Sequence, residues 1–292
     1  MSVIDKREEF LFLYDIKDNN PNGDPMDENK PRIDEESGHN FVTDVRLKRT
    51  IRDYLFEYKG FDGSQDKDIF VRSKESESKG KGLQDGKERA KDFGNDAASI
   101  IKQCIDIRLF GGVIPLDKDS IRYTGPVQMR MGRSLHRVEL KHVKGTGAFA
   151  SQAGKDNRTF REEYVLPYSL IGFYGVVNDV AARHTGLSSD DLDLFYDAMW
   201  EGTRNLVSRT KVGQSPRLLL RIQYKTPGFF LGDLDRRISF EHPNKRDEEL
   251  RDITDGTVNL SALRDALKDN GKHVANVNAR KDDRIVVDGW KS

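Results

Sequence analysis

The sequence predicts an α+β fold whose central elements follow the order strand, helix, strand, strand, helix, strand, as in ferredoxin-like domains. Stretches rich in aromatic and aliphatic residues predict the strands, and apolar residues at helical spacing predict the helices. No internal repeat or clean linker is visible, so residues 1–292 are expected to form one domain with large insertions. The predicted strands span 8–17, 121–143, 161–178 and 217–225.

Three segments between these elements are polar or glycine-rich. Residues 18–40 contain three prolines and an Asn-Gly pair, which predict a long irregular loop. Residues 59–96 are polar, glycine-bearing and mixed in charge, and we interpret them as an insertion. Residues 144–158 are predicted to form a glycine-rich loop, and Pro167 is expected to interrupt the strand that follows.

The helices carry recognisable start signals. Thr43 can cap a helix over 44–58, whose apolar residues share one face while its cations fall on the opposite arc. Ser188 and Asp191 form a capping-box-like start for a second long helix. Weaker patterns predict helices at 97–108 and 259–270 and an edge strand at 285–290.

Composition excludes several classes of protein. The 49 basic residues balance 49 acidic ones, which argues against a uniformly basic nucleic-acid coat but allows local patches. A single cysteine, Cys104, excludes an intrachain disulfide and a cysteine metal site, and its apolar neighbours predict burial. No run approaches 18 apolar residues and the N-terminus is charged, so we expect no membrane segment and a cytoplasmic location.

No catalytic, metal or cofactor motif is complete. The histidines do not form HExxH, and no GxSxG is present. Residues 18–23 resemble the start of a calcium loop, but Asn29 stands where the terminal glutamate is needed. The glycines of 145–150 precede no helix, so a dinucleotide site is not supported. Residues 171–177 only partly match an RNA-recognition signature. We predict no metal and no cofactor.

Cations cluster in two places despite the zero net charge. From residue 122 to 161, nine basic residues face two acidic ones, and the helix at 44–58 carries four more. Spaced cations can follow a phosphate backbone, or they can form a solvated or ion-paired surface. Two separate cationic surfaces favour nucleic acid, and Phe149 in the second is a candidate for base stacking. The cations are Arg46, Lys48, Arg49, Arg52, Arg122, Arg130, Arg133, Arg137, Lys141, Lys144, Lys155, Arg158 and Arg161.

Three motifs resemble one known family. They are NPNGDPMDENKPRIDEESGHNFVTDVRLKRTIRDYL at 20–55, DIRLFGG at 106–112 and YTGPVQMRMGRS at 123–134. Together they resemble the backbone subunit of type I CRISPR Cascade, the Cas-seven family, and most of all its I-B branch. The resemblance implies an RRM-like palm with inserted fingers and a thumb. We therefore assign 59–96 as a finger-type insertion and 141–160 as a thumb-like loop.

The resemblance also implies a function. Such a subunit is non-catalytic and coats guide RNA (crRNA) in head-to-tail copies, while the guide pairs with target DNA. The implied partners are a Cas-five-type subunit, a large subunit, small subunits and an RNA-processing endonuclease. A sequence-independent coat should hold phosphates and leave base edges free, which agrees with spaced cations. Zero net charge avoids repulsion between copies of a subunit that assemble through complementary faces. The acidic residues Asp34, Glu35 and Glu36 are candidates for contact with a neighbouring copy.

Candidate RNA-binding residues follow from the family pattern and the cationic clusters. The family's RNA-facing helix corresponds to Lys48, Arg49 and Arg52, and Gly111 and Gly112 would allow close backbone approach. The full predicted set is Asn22, Asp24, Arg46, Lys48, Arg49, Arg52, Gly111, Gly112, Gln128, Arg130, Arg133, Lys141, Lys144, Phe149, Lys155 and Arg158.

Two other functions remain open from sequence. One is a CRISPR-associated ribonuclease, metal-dependent or metal-independent, for which His39 beside the acidic loop is the suggestive residue. The other is an assembly protein in which the basic rows contact only protein.

Overall fold

The structure, a computed structural model, describes residues 2–76, 82–116, 120–150 and 158–290, with the backbone alone over 146–150 and 158–161. The strands are β1 (Glu8–Asn19), β2 (Gly23–Asp24), β3 (Lys30–Pro31), β4 (His39–Val42), β5 (Gly111–Pro115), β6 (Ser120–Thr124), β7 (Val127–Met129), β8 (Gly132–Arg137), β9 (Lys141–Ala150), β10 (Arg158–Val177), β11 (Ser215–Tyr224), β12 (Ser239–Glu241), β13 (Thr257–Asn259), β14 (Val274–Lys281) and β15 (Val287–Asp288). The α-helices are α1 (Asp44–Tyr58), α2 (Gly86–Lys91), α3 (Ala97–Gln103), α4 (Ile105–Phe110), α5 (Asp179–Thr185), α6 (Ser189–Arg204) and α7 (Ser261–Asp269).

A large antiparallel sheet organises the chain. Its strand order is β14-β11-β1-β10-β8-β4, and β7 and β9 also pair with β10. At its centre Phe12 lies opposite Phe173 on one side and Leu219 on the other. The α+β class is thereby confirmed.

One face of this sheet packs against α1 and α6. Phe10, Phe12 and Tyr14 point into this layer, and the Phe10 ring meets the Phe195 ring edge-on at a centroid distance of 5.6 Å. The capping box of Ser188 and Asp191 is present, as the sequence predicted. The apolar faces of the two helices are therefore buried against the strands, which is the main source of their stability.

The opposite face is covered by the C-terminal segment, residues 229–290. Leu11, Leu13 and Tyr174 from the sheet share a buried cluster with Phe240 and Leu263 from this segment. The strands at the centre are buried on both faces, which explains the unbroken apolar run of β1. This part of the sheet is not available for bases to stack on.

The RNA-recognition-like stretch at 171–177 is consequently structural. Phe173 is fully buried in the helix-side layer, and Tyr174 donates a hydrogen bond to the buried carboxylate of Glu9 at 2.5 Å. Tyr224 donates to the same carboxylate at 2.5 Å. Neither aromatic ring of the stretch is presented to solvent.

The polar insertion at 59–96 contributes to a core rather than standing apart. Several of its side chains are buried together with residues of α3, α4 and β5. Apolar residues of α3, α4 and β5 provide the surface against which the apolar side chains of the insertion are buried. The buried members are Phe70, Ala90, Phe93, Ile100, Cys104, Ile107 and Ile114.

Several predicted elements differ from the observed ones. The helix predicted at 97–108 is two helices, because Cys104 between them adopts an extended conformation. Pro167 does not interrupt β10, since its neighbours Leu166 and Tyr168 both pair with β1. On β1, opposite Pro167, Asp18 has a φ of +48°. The irregular backbone at this point therefore lies on β1, and β10 continues through the proline.

Two predicted loops contain strands. The loop at 18–40 includes the small β2–β3 hairpin, and the arm predicted at 121–143 is divided among β6, β7, β8 and the start of β9. Of the glycine-rich loop predicted at 144–158, residues 144–150 belong to β9 and Arg158 to β10, and these strands pair as a hairpin. The rest of that loop, 151–157, lies outside the described residues. Among the described helices, none is long and apolar enough to cross a membrane.

Candidate nucleic-acid interface

The loop after β1 is fastened to the start of α1. The Thr43 hydroxyl caps the helix by accepting from the backbone N–H of Arg46 at 3.2 Å. Asn22 Oδ1 in turn accepts from the Thr43 backbone N–H at 2.9 Å and from its hydroxyl at 3.0 Å. Asp24 forms an ion pair with Arg32 at 2.8 Å. Asn22 and Asp24 therefore shape this loop through contacts within the chain.

The cations of α1 do not form one open face as the periodicity predicted. Lys48 pairs with Asp44 at 2.8 Å, and its ammonium lies 5.4 Å from the centre of the Phe110 ring. The Arg52 guanidinium lies 5.1 Å from the same ring. Since α4 packs against this arc, both side chains are largely enclosed. Arg49 is about half exposed and pairs with Asp53 at 2.6 Å.

Arg46 differs from its neighbours because no carboxylate in the described part of the chain pairs with it. Burial lowers the pKa of this guanidinium, although the nearby Tyr14 and Asp53 favour its charged form. Burial and, to a smaller extent, the nearby charge of Arg46 lower the pKa of a second cation, Lys211. Lys211 lies in the loop between α6 and β11 and was not predicted from the sequence.

The base of the β9–β10 hairpin contacts both the loop after β1 and the loop between α6 and β11. The His142 and Tyr164 rings stack at 4.5 Å, and the Lys30 ammonium lies 5.2 Å from the centre of the Tyr164 ring. The Tyr164 hydroxyl donates to Glu28 at 2.8 Å. Arg209, two residues before Lys211, pairs with the hairpin at 3.1 Å through Glu163. The first strand's loop, the α6–β11 loop and the hairpin therefore meet at one place.

The predicted residues of the hairpin differ in their surroundings. Lys141 is exposed and has no ion pair among the described residues. Lys144 pairs with Glu162 at 3.3 Å. Phe149 and Arg158 lie on the paired backbones of β9 and β10, and Lys155 lies outside the described residues.

A second group of predicted residues lines a groove of about 650 Å³, whose walls come mainly from residues 34–39, 130–135 and 235–238. Arg130 pairs with Asp233 at 2.8 Å and lies 4.9 Å from the centre of the Tyr174 ring. Arg133 pairs with Asp34 at 3.1 Å, and this hydrogen bond lowers the pKa of the Asp34 carboxyl. The groove is therefore mixed in charge.

The remaining predicted residues have internal contacts. Gln128 donates to the Gly125 carbonyl at 2.9 Å. Gly111 has a φ of +68°, and a Cβ there would lie 2.2 Å from the Tyr123 carbonyl oxygen. Its lack of a side chain is needed for the turn into β5. A Cβ on Gly112 would meet only a side-chain carbon of Ile107 at 3.4 Å.

No metal-binding cluster was found in the ranges that the structure describes. His39 lies at the groove of Arg130 and Arg133, where its Nδ1 is 2.8 Å from the Ser134 carbonyl oxygen. That contact is the one expected of an Nδ1–H donor. One imidazole nitrogen is thus occupied by a structural hydrogen bond.

The structure places Asn22 and Arg46 at the start of α1 and Lys141 at the start of the β9–β10 hairpin, whereas Arg130 and Arg133 line a separate groove. Sequence reasoning missed Asn19, Asn20 and Lys211 at the junction of the two loops with the hairpin. The Asn-Asn pair was visible in the polar run after the first strand. Lys211, in contrast, has no motif around it.

Comparisons with known proteins agree with the resemblance found in the motifs. Residues 6–261 match the family model described as CRISPR-associated protein Cas7. A CRISPR-associated protein Cas7 from Haloferax volcanii is 31% identical over an alignment of 314 residues that covers 97% of this chain and 88% of the relative. A chain from a "CRISPR RNA-guided surveillance complex" superposes with a TM-score of 0.55, at 13% identity, over 94% of this chain and 88% of that one. A chain from a pre-nicking form has a TM-score of 0.55, 10% identity and coverages of 94% and 90%. These two structures are similar in fold.

Proposed function

The chain belongs to the CRISPR-associated protein Cas7 family, and we propose that it is a non-catalytic backbone subunit of an RNA-guided surveillance complex of the type I Cascade class. In this role it binds guide RNA along the spacer, in several head-to-tail copies. The motif at 20–55 favours the I-B branch. The guide, held by its backbone, keeps its base edges free to pair with target DNA.

The observation that carries the proposal is the junction at the base of the β9–β10 hairpin. Arg46 and Lys211 lie there without carboxylate partners in the described part of the chain, and exposed Lys141 lies at the start of the hairpin. Cations that no protein carboxylate neutralises are free to bind phosphates. Such contacts are independent of base sequence, which is what a coat for variable guides requires.

A ferredoxin-like, RRM-like palm accounts for the centre of the fold. The order β11-β1-β10-β8, with α1 and α6 on one face, supports this assignment. We propose that 59–96 is the finger-type insertion and that 141–160 is the thumb. Because the C-terminal segment covers the other face of the sheet, RNA is expected at the palm–thumb junction rather than across the strands.

Assembly requires complementary surfaces on one subunit. The zero net charge avoids general repulsion between copies, and head-to-tail contacts join different patches of the same chain. Because Asp34 pairs with Arg133 in the same subunit, the proposed contact of the acidic loop with a neighbour rests on Glu35 and Glu36, which are exposed. Further proposed partners are a Cas-five-type subunit, large and small subunits and the RNA-processing endonuclease.

Co-purification tests this function. The chain is expressed with a guide RNA, purified at moderate salt and measured for its A260/A280 ratio, and the bound RNA is then sized. A coat should retain guide-length RNA and show a high ratio. A preparation that is free of RNA at low salt, while remaining folded, would contradict the proposal.

A further inference from the structure

The loop between α6 and β11 is held against the end of β1 by three hydrogen bonds. The backbone N–H of Asn20 donates to the Thr210 carbonyl at 3.1 Å, and Asn19 Nδ2 donates to the Val212 carbonyl at 2.8 Å. Between them, the Lys211 ammonium donates to the Asn20 carbonyl at 2.9 Å. This places Lys211 directly beside the two asparagines.

The positive charges of Lys211 and Arg46 are not balanced by an ion-paired carboxylate among the described residues. Burial, followed by the field of Arg46, lowers the pKa of Lys211 to about 8. Among the described residues, neither cation has a carboxylate in ion-pair distance, although most other basic side chains of the α1 surface do. Two neighbouring cations that are partly desolvated favour an anion between them. A phosphate provides that charge.

The two asparagines carry acceptors that lack partners. Asn19 is 3% exposed and Asn20 is 2% exposed. Neither Oδ1 has a hydrogen-bond donor within the described residues. An enclosed polar atom without a partner is unfavourable and calls for a ligand or a water molecule. These oxygens need a donor, which a phosphate cannot be at neutral pH but a hydroxyl group can.

We infer that Lys211, Arg46 and the two asparagines form a ribonucleotide clasp, in which the cations bind a backbone phosphate and an asparagine Oδ1 accepts from the adjacent ribose 2′-hydroxyl. In the free protein the Lys211 ammonium donates to the Asn20 backbone carbonyl. In the clasp the ammonium turns from this carbonyl to the phosphate, and the Asn20 side chain opens toward the sugar. The clasp rests on the proposed function and adds to it the contact that selects RNA over DNA.

The clasp also makes binding sensitive to pH. A phosphate beside Lys211 raises its pKa above the value of about 8 in the free protein, so RNA binding takes up a proton above that pH. Affinity therefore falls as the pH rises. The charged side chain that acts on Lys211 is Arg46, which is itself influenced by Tyr14, Asp53 and Arg49. The Arg209–Glu163 ion pair joins the same loop to β10 at 3.1 Å.

The test uses the whole chain and three short single-stranded probes of one sequence: RNA, DNA and 2′-O-methyl RNA. Affinities are measured at about pH 7.5 and about pH 9 for wild type, Lys211→Arg, Lys211→Met, Asn20→Ala and the control Lys272→Met. Lys272 is exposed in the turn after α7 and has no ion pair among the described residues. Unfolding transitions identify any variant that does not fold.

We expect wild type to bind RNA roughly tenfold more tightly than either other probe, which is the effect of one hydrogen bond. RNA affinity should fall roughly tenfold between the two pH values, as the lysine loses its proton. Lys211→Arg should remove most of that fall, because an arginine stays charged. Lys211→Met should bind RNA weakly at both pH values, and Asn20→Ala should bind RNA no better than DNA.

Two results would overturn the clasp. One is equal wild-type affinity for the three probes, which needs no variant to fold. The other is RNA binding by Lys211→Met that matches Lys272→Met at about pH 7.5. In both cases wild type still binds RNA, so the proposed function stands. Wild type that binds no probe at all contradicts the proposed function itself.

Discussion

Arg52 donates a hydrogen bond from its Nε to Oδ2 of Asp106 at 2.9 Å, and Asp106 is completely buried. The same carboxylate accepts from the backbone N–H groups of Phe70 at 2.8 Å and Val71 at 3.0 Å. The pair therefore joins α1, α4 and the polar insertion. A residue predicted to contact RNA is, in this structure, part of the internal framework.

This pair makes a prediction about stability. Arg52→Ala should lower the free energy of unfolding by about 2–4 kcal/mol, because it leaves a buried carboxylate without its cation. Arg49→Ala is the matched control on the same helix, where a half-exposed pair with Asp53 contributes at most about 0.5 kcal/mol. Urea unfolding of the two variants measures both. Equal losses would mean that the Asp106 pair is not structural.

His136 makes a prediction about pH. Its ring is buried, Nε2 accepts from the Leu170 N–H at 3.2 Å, and Nδ1 lies 2.7 Å from the Arg137 carbonyl oxygen, so the neutral form is required. Burial lowers its pKa from 6.5 to about 4. Between these values the unfolded chain binds the extra proton, so stability falls as the pH falls.

The measurement compares urea unfolding near pH 7 and near pH 4.5. Wild type should lose about 2–3 kcal/mol through His136, in addition to losses from other groups. His136→Gln keeps an acceptor for Leu170 but has nothing to titrate. It should start less stable and lose less on acidification. A loss as large as that of wild type would show that His136 is not responsible.

Arg133 makes a prediction about RNA binding, because its partner Asp34 competes with phosphate. Arg133→Gln should lower the slope of log affinity against log salt by about one unit. Asp34→Asn should instead raise RNA affinity at low salt by releasing the guanidinium. Arg246→Gln, which breaks an exposed pair with Glu249 in the C-terminal segment, is the control. If the salt slope of Arg133→Gln equals the slopes of wild type and Arg246→Gln, Arg133 does not contact RNA.

His39 separates the proposed function from the ribonuclease alternative. Purified chain should not cleave RNA or DNA with added divalent metal, and His39→Ala should leave any background cleavage unchanged. The expectation follows from the proposed non-catalytic role, and the variant is needed because the contact of Nδ1 with the Ser134 carbonyl leaves Nε2 of His39 without that partner. Cleavage that increases with metal and disappears in His39→Ala would support the enzyme.

The central strands and helices could be predicted because local sequence dictates them. β1 and β11 are buried on both faces and therefore read as continuous apolar runs, and α1 and α6 have caps at Thr43 and Ser188. Strand β14 could not be predicted, because its sequence VANVNARK is polar and mostly exposed. It is a strand because it pairs with β11, which is a contact between distant parts of the chain.

The site was predictable to a smaller extent for a similar reason. Helical periodicity places Lys48 and Arg52 opposite the apolar face, but it contains no information on the packing of α4 and Phe110 against that arc. Lys211 became a candidate only when the fold placed it beside Asn20. Motifs identified the family, whereas the partners of each cation depend on tertiary contacts.

A nuclease footprint on assembled complexes tests the central claim, that copies of this chain coat a guide RNA head-to-tail. The chain is expressed with its guide, the complex is digested with ribonuclease, and the protected fragments are sized for wild type and for a variant with 146–156 replaced by a Gly-Ser linker. We expect regularly spaced protection for wild type, and a folded variant that loses both the spacing and the multimers. A wild-type guide that is digested without any periodic protection would contradict the claim that the chain coats RNA. A linker variant with the wild-type footprint on full-length complexes would contradict the assignment of the thumb.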